Sequence, residues 1–483
     1  MKAIVIGAGG AGLAALAALR QAGAEVVAFE RSGVLGGVWA ATQYPALTIH
    51  SQSFNYRFHD FPPVASAGPS ATRDEVLTYL AAFARAKGVA EHITYHQRVD
   101  RIVYRPGRAP RCLVAVTDLR SGESHTHACD VVVCATGFSN AGRPHVPALP
   151  GRDASHVRVL HSSEVTAEVL DDVRARRRRV AVLGAGKSSH ELLSLLRGAD
   201  PTWIYSKSLW ALSYEVLYPA SGLPWNVLWY LYYQRLTRLR RRLGFGRVMK
   251  ALQAPLRWSG LFVNPLEPRS DLCVNRAAIM KRDQLAYLRT VRSVKAEVTG
   301  LGPHTVEVAG GPAIEADLLI CATGYDRSAW LPEVVIEAAD GSVTRHDLAA
   351  QHGFYNQMID PAAPAVSVLA ASVLYPQQLV GYSLGAQWLA RFHTGRLARH
   401  PTAAEMRRSM AADAARFSPW VSGAYLSNGL PYAHERNEDV LPRLFTQLGL
   451  PAGLARLLVI RGADPQKFAR LCDDVAARLA ATA

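Results

Sequence analysis

No stretch of this 483-residue chain is apolar for long enough to cross a bilayer, which excludes an integral helical membrane protein. Cysteine is scarce and scattered: the six fall at 112, 129, 134, 273, 321 and 472, with no Cys-x-x-Cys pair. That spacing excludes a zinc ribbon and a dithiol motif and favours reduced, structural thiols; no metal site is expected. Acid is also in short supply, 39 Asp and Glu against 54 Lys and Arg, for a net charge of +15 and a pI of about 9.7. The surplus is mostly arginine in an alanine-rich chain, a bias that a GC-rich bacterial genome produces. With no nucleic-acid-binding motif beside it, no nucleic-acid partner is expected. The first strand-like run, Ile4-Val5-Ile6, starts too early to leave room for a signal peptide, so a cytoplasmic address is expected. What remains is 49% hydrophobic and 19% charged, ordinary for a globular chain of two or three domains with a sizeable core.

The chain opens with strand, glycine turn and helix: Ile4-Val5-Ile6, then Gly7-Ala8-Gly9-Gly10-Ala11-Gly12, then an Ala/Leu-rich stretch to Arg20. A second strand, Glu25 to Phe29, ends at Glu30. Gly7 permits the tight turn, Gly9 lets backbone approach a pyrophosphate, and Gly12 lets helix pack closely on strand. The helix N-terminus offers unpaired N–H groups to phosphate, and Glu30 is placed to accept from ribose hydroxyls. In isolation G-x-G-x-x-G is a weak signal; between a strand and a helix, with an acid at the next strand's end, it indicates a dinucleotide.

The design recurs at Val180 to Leu183, followed by Gly184-Ala185-Gly186-Lys187-Ser188-Ser189 and a helix. Ser189 stands in for the third glycine. Gly7 to Glu30 and Gly184 to Lys207 span the same 23 residues, so the second copy presents Lys207 and Ser208 where the first presents a carboxylate. A carboxylate repels a 2′-phosphate and an ammonium attracts one, so the first site suits FAD and the second NADPH. Two β runs that stop at Ala-Thr-Gly, Asp130 to Phe138 and Ala316 to Tyr325, echo one another, one after each block. They imply an α/β fold of two Rossmann-like domains, the NADPH domain inserted into the FAD domain: 1–165 and 319–445 for FAD, 166–318 for NADPH.

With these motifs in order, the chain resembles the flavin-containing monooxygenases. Glu30-Arg31-Ser32 and Gly36-Gly37-Val38-Trp39 resemble that family's acidic strand end and G-G-x-W turn. Asp60-Phe61-Pro62 resembles its D-F-P element, Pro144, Pro147, Pro150 and Gly151 its proline run, and His161-Ser162-Ser163 the end of its fingerprint. Gly184 to Ser188 resembles its NADPH loop, and Ala322-Thr323-Gly324-Tyr325 its A-T-G-Y segment. The chain departs from the pattern at Ser155 and Val157 (Phe and Gly in the fingerprint), at Val165, and at Gly385, where a Gln is usual before Trp388 and Arg391. His50, six residues after Tyr44, takes the place of an Asn beside the flavin.

The resemblance implies an NADPH- and O2-dependent enzyme that forms a flavin C4a-(hydro)peroxide and oxygenates a small organic metabolite. Transfer to nitrogen or sulfur is favoured; Baeyer–Villiger oxidation of a ketone is the alternative, a disulfide reductase or a non-enzymatic flavoprotein more distant ones. His50 is the candidate catalytic residue, since imidazole can exchange a proton near neutral pH. The expected cofactor residues are Gly7, Gly9, Gly10, Gly12, Glu30, Arg31, Gly37, Val38, Trp39, His50, Ser51, Thr136, Gly184, Gly186, Ser188, Ser189, Lys207, Ser208 and Thr323.

A helical insertion is expected over about 210–282. From Trp225 to Leu243 its apolar residues recur at helical spacing beside Arg235, Arg238 and Arg240 to Arg242. That seam suits a lid over the substrate entrance, with peripheral membrane contact the alternative. The run Arg176 to Arg179 reads as a solvated turn. Residues 446–483 form a helical tail in which Asp464-Pro465 caps a helix with Phe468, Leu471, Cys472, Val475 and Leu479 on one face, packed on the body or on a second subunit of a homodimer.

Overall fold

The computed structural model describes residues 1–45, 47–49, 51–137, 143–206, 211–217, 278–326, 331–348, 354–369, 378–417, 433–461 and 464–482. The expectations for His50, Lys207, Ser208 and the 225–243 seam lie outside the described residues. Two compact units emerge: Met1–Ala41, Thr48–Gly142 and Arg327–Ala483 form the first, Thr42–Leu47 and Arg143–Asp326 the second. The bounds differ from those read in the sequence. Residues 143–165 and 319–326 pack in the second unit because the strand Arg158–His161 pairs in parallel with Leu318–Cys321.

In the first unit, β1 (Lys2–Ile6) is followed by α1 (Gly10–Gln21) and β2 (Glu25–Phe29). Ala3 to Ile6 are all buried, as a strand covered on both faces requires. β1 lies between β2 and Val131–Cys134 in a five-stranded parallel sheet that ends at Val366–Val368 and Ile93–Thr94. Small residues let α1 lie close to this sheet while Leu13, Leu16 and Leu19 are fully buried, each contributing roughly 1.5–3 kcal/mol. A second five-stranded sheet runs Val343–Arg345, Glu333–Glu337, Gln97–Tyr104, Cys112–Asp118, Ser124–Cys129.

The tail joins this unit's core. Asp464 caps the helix Pro465–Ala481 through Lys467 N–H, and Phe468, Cys472, Val475 and Leu479 are buried. Phe468 meets Phe54 edge-on, and Arg57 reaches Asp473 at 3.5 Å. Upstream, Gln447 ties the helix Ala433–Gln447 inward. Its Oε1 accepts from Trp388 Nε1 and Asn356 Nδ2, and its Nε2 donates to Tyr355 Oη.

In the second unit, β3 (Val180–Leu183), α2 (Lys187–Leu195) and β4 (Thr202–Tyr205) repeat the pattern. The parallel order is Ser293–Lys295, β4, β3, Leu318–Cys321, Arg158–His161. The Arg176–Arg179 run is paired as well as solvated: Arg176 and Arg178 meet Asp172, and Arg179 meets Glu315 and Asp317. Among the described residues no helix is long and apolar enough to cross a membrane.

Candidate dinucleotide-binding loops

The first loop turns at Gly7, whose φ of +101° is a glycine conformation. A Cβ at Gly12 would lie 1.9 Å from the Gly7 carbonyl oxygen, so helix and strand meet backbone to backbone. Gly9 and Gly37 also come together: a Cβ on Gly37 would stand 3.1 Å from Gly9 Cα. The G-G-x-W turn is thereby drawn against the phosphate loop. Trp39 Nε1 donates to Tyr56 Oη at 2.8 Å, which fixes the indole.

Glu30 is buried at the end of β2, as expected, but its carboxylate is already engaged. Oε2 accepts from Ala8 N–H at 2.7 Å and Oε1 from Ser32 N–H at 2.8 Å. Each oxygen keeps a lone pair, so a ribose hydroxyl can still be accepted, yet the carboxylate also braces the loop. Thr136, in the Ala-Thr-Gly turn beside Gly7, has a buried hydroxyl with no hydrogen-bond partner. An orphaned buried hydroxyl is costly alone and fits a ligand oxygen arriving at the loop. Ser51 is buried and its carbonyl accepts from Ser70 Oγ, whereas Arg31 and Val38 are exposed.

The second loop is braced differently. Gly184 (φ +124°) donates its N–H to Ile204 O, and its own carbonyl accepts from the indole of the fully buried Trp203 at 2.7 Å. Ser189 turns its hydroxyl back to Gly186 O at 2.6 Å. Lys187 Nζ pairs with Glu191 Oε1 at 3.0 Å, and Tyr44 Oη donates to Glu191 Oε2 at 2.7 Å. Burial lowers the Lys187 ammonium, with Glu191 opposing, and burial beside Glu191 raises the Tyr44 phenol. The first-turn side chains of α2 are thus tied inward, leaving its backbone N–H groups as the anion donors. Among the described residues nothing lies within 4 Å of a Cβ position at Gly186.

The second Ala-Thr-Gly turn is held by two side chains. Thr323 Oγ1 donates to His145 O. His161 Nε2 donates to Gly324 O at 2.8 Å while its Nδ1 accepts from Ser163 N–H; burial pushes its pKa down, so the ring is neutral. Among the residues matched to the family late in the chain, Arg391 donates to the Leu448 and Leu479 carbonyls and Trp388 to Gln447. Both act inside the core. At Gly385 a Cβ would meet Leu369 Cδ1 at 2.9 Å and Met358 Sδ at 3.3 Å, so a larger residue there requires those two side-chain ends to shift. Tyr44, Glu191 and Trp203 escaped the sequence reading: Tyr44 lies 147 positions from its partner, and no spacing rule links them. The five described cysteines are free and buried, and Cys129 stands opposite Cys112 across an antiparallel pair.

Residues 1–410 match the profile of a family described as flavin-binding monooxygenase-like. The putative FAD-containing monooxygenase MymA of Mycobacterium tuberculosis is 27% identical over 202 residues, which span 41% of this chain and 39% of that protein. That relative is therefore matched over well under half its length. Dimethylaniline monooxygenase [N-oxide-forming] 2 of Mus musculus is 23% identical over 413 residues, 82% of this chain and 73% of the mouse protein. Among solved structures, cyclohexanone monooxygenase from Rhodococcus sp. Phi1 bound to NADP+ superposes with a TM-score of 0.64 at 17% identity, covering 88% of this chain and 92% of that one.

Proposed function

The chain belongs to the flavin-binding monooxygenase-like family, and from that premise we propose that it is an FAD enzyme that takes hydride from NADPH and uses O2 to oxygenate a small organic metabolite, at nitrogen or sulfur rather than at a ketone. The observation that carries the reading is the pair of glycine loops, one in each parallel sheet, each between a buried strand and a helix N-terminus. FAD fits the first loop. Gly7, Gly9 and Gly37 admit a pyrophosphate against bare backbone, Thr136 offers an unspent hydroxyl, and Glu30 a carboxylate with lone pairs to spare. NADPH fits the second, where α2 presents its first N–H groups and the sequence continues to Lys207-Ser208.

Bound flavin supplies the hydride acceptance and the oxygen activation. The chain's own work is positioning and proton control. His161 pins the Gly324 turn as a neutral donor. His50 is assigned from the sequence to exchange a proton beside the flavin, where an asparagine could only hydrogen-bond. The seam at 225–243 serves as a lid, with peripheral membrane contact its competing role, and the address is cytoplasmic. Preference for nitrogen or sulfur rests on the fingerprint, whose Baeyer–Villiger form is not met after His161. The N-oxide-forming name of the mouse relative agrees with it; the cyclohexanone monooxygenase likeness concerns fold alone.

The test mixes flavin-loaded protein anaerobically with NADPH or NADH, follows flavin bleaching, then admits O2 with an amine, a sulfide or a ketone. Faster bleaching by NADPH and an N- or S-oxide by mass spectrometry are expected. An ester or lactone from the ketone alone would transfer the assignment to Baeyer–Villiger chemistry, and no bleaching by either nucleotide would end the reading.

A further inference from the structure

Tyr44 belongs to a six-residue segment, Thr42–Leu47, that packs in the second unit although the chain on both sides of it belongs to the first. Its ring sits in the second unit's core with Val165, Leu192 and Leu193, and is 3% exposed. The hydroxyl donates to Glu191 Oε2 at 2.7 Å. The other Glu191 oxygen holds Lys187 Nζ at 3.0 Å. Through one carboxylate, the phenol therefore reaches Lys187, the residue that opens α2, the helix behind the second glycine loop. A buried ion pair and its hydrogen bonds resist rearrangement, because breaking any member strands a desolvated polar group.

We propose that Tyr44 is a positioning residue for the dinucleotide: with Glu191 it locks Lys187 so that the first turn of α2 keeps its N–H groups aimed at an incoming pyrophosphate. The inference rests on the reading of this loop as the NADPH site and extends it to a residue from a remote part of the chain. Pre-organised donors bind an anion without first paying to order themselves. Removing the phenol hydroxyl leaves the Glu191 carboxylate one donor short, so Glu191 and Lys187 sample other rotamers before each binding event.

The experiment compares wild type, Tyr44→Phe, Glu191→Gln and the double variant, each loaded with FAD. NADP+ affinity is measured by isothermal titration calorimetry, flavin content and melting temperature are recorded, and NADPH KM is separated from kcat. We expect Tyr44→Phe to bind NADP+ about five- to twentyfold more weakly, with KM rising to match and with flavin content and kcat at saturating NADPH unchanged. In the Glu191→Gln background the same substitution is expected to cost at least about twofold less, since the two side chains act together. Wild type that binds NADP+ beside a Tyr44→Phe protein of equal affinity overturns the proposal and leaves the NADPH reading standing. Loss of flavin or an early melt in Tyr44→Phe would make Tyr44 a folding residue and also overturn it. Wild type that binds no NADP+ overturns the reading itself.

Discussion

Alanine at Gly12 and alanine at Gly186 are the same chemical change in two copies of one motif, and they are expected to fail in different ways. At Gly12 the new Cβ would lie 1.9 Å from Gly7 O and 2.8 Å from Gly7 C, both backbone atoms that no rotamer can move. Ordinary contact would require α1 to withdraw from β1 by roughly 1.5 Å, loosening the burial of Leu13, Leu16 and Leu19. Overpacking costs about 1–3 kcal/mol and occasionally more. The backbone-on-backbone clash belongs at the top of that range, and alanine's helical advantage returns only about 1 kcal/mol. A net loss of about 2 kcal/mol corresponds to a melting-point drop of roughly 4–8 °C for a unit of this size, accompanied by lost FAD.

At Gly186 the backbone is extended (φ −85°, ψ 179°), and among the described residues no atom lies within 4 Å of the new methyl. Stability should stay within about 1 kcal/mol of wild type, an N-cap loss of that order being partly offset by a stiffer unfolded chain. The methyl would instead occupy the space that a pyrophosphate needs, so NADP+ affinity falls while flavin content holds. Differential scanning fluorimetry, flavin absorbance and NADP+ titration on both variants separate the outcomes. A Gly12→Ala protein that melts with wild type and keeps its flavin would refute the close helix–strand contact. A Gly186→Ala protein with undiminished NADP+ affinity would refute the role given to the second loop.

Burial pushes His59 and His190 down to about 4 and His393 to about 3, below the unfolded value near 6.5. The unfolded chain therefore takes up protons first: stability present above pH 6.5 is lost as pH falls toward 4, by about 2 kcal/mol per histidine at pH 5, and a melting temperature that stays level from pH 8 to 5 would contradict this. Gln447→Leu strands Trp388 Nε1, Asn356 Nδ2 and Tyr355 Oη together and should destabilise the protein by roughly 2–4 kcal/mol in urea unfolding; a loss under about 1 kcal/mol would mean that water replaces the amide. His50→Asn should keep flavin bound but flatten the pH dependence of hydrogen peroxide release; an unaltered profile removes His50 from proton control.

Much of the fold could be read from the sequence because its signals are local. Ile4 to Gly12 and Val180 to Ser189 place turn, helix start and strand end within one short window, where steric rules alone decide. The tail helix was legible for the same reason: Asp464-Pro465 starts it and its apolar spacing names the buried face. The boundaries between units were not, because the pairing of Arg158–His161 with Leu318–Cys321 joins remote parts of the chain and no periodicity announces it. The braces of the loops escaped for a related reason. Glu30 was recognised by its position, yet its bonds to Ala8 and Ser32 depend on how the backbone folds back on itself. Family position likewise picks out Trp388 and Arg391 without saying what they bond: their donors are taken up by Gln447 and by the Leu448 and Leu479 carbonyls.

The two braces also differ in charge, and the difference bears on which cofactor each loop suits. Glu30 sets a full negative charge behind the first loop, bonded to the N–H of Ala8 and so close to the path of an incoming phosphate. Behind the second loop the carboxylate of Glu191 is offset by Lys187 at 3.0 Å, and the Gly184 carbonyl is held by a neutral indole. A 2′-phosphate adds roughly 1.5 to 2 negative charges to a dinucleotide. Repulsion between such a ligand and an uncompensated buried carboxylate is weakly screened, because the low local dielectric strengthens it. FAD, which carries only its pyrophosphate, would meet less repulsion at the first loop than a dinucleotide bearing a 2′-phosphate. The second loop sets no such charge against a phosphate. Removing the charge at the first, with Glu30→Gln, should therefore weaken FAD retention through the lost brace and relax the discrimination against NADPH. Equilibrium dialysis of the variant against each cofactor decides the point: NADPH bound by Glu30→Gln no better than by wild type would mean that the carboxylate does not discriminate between them.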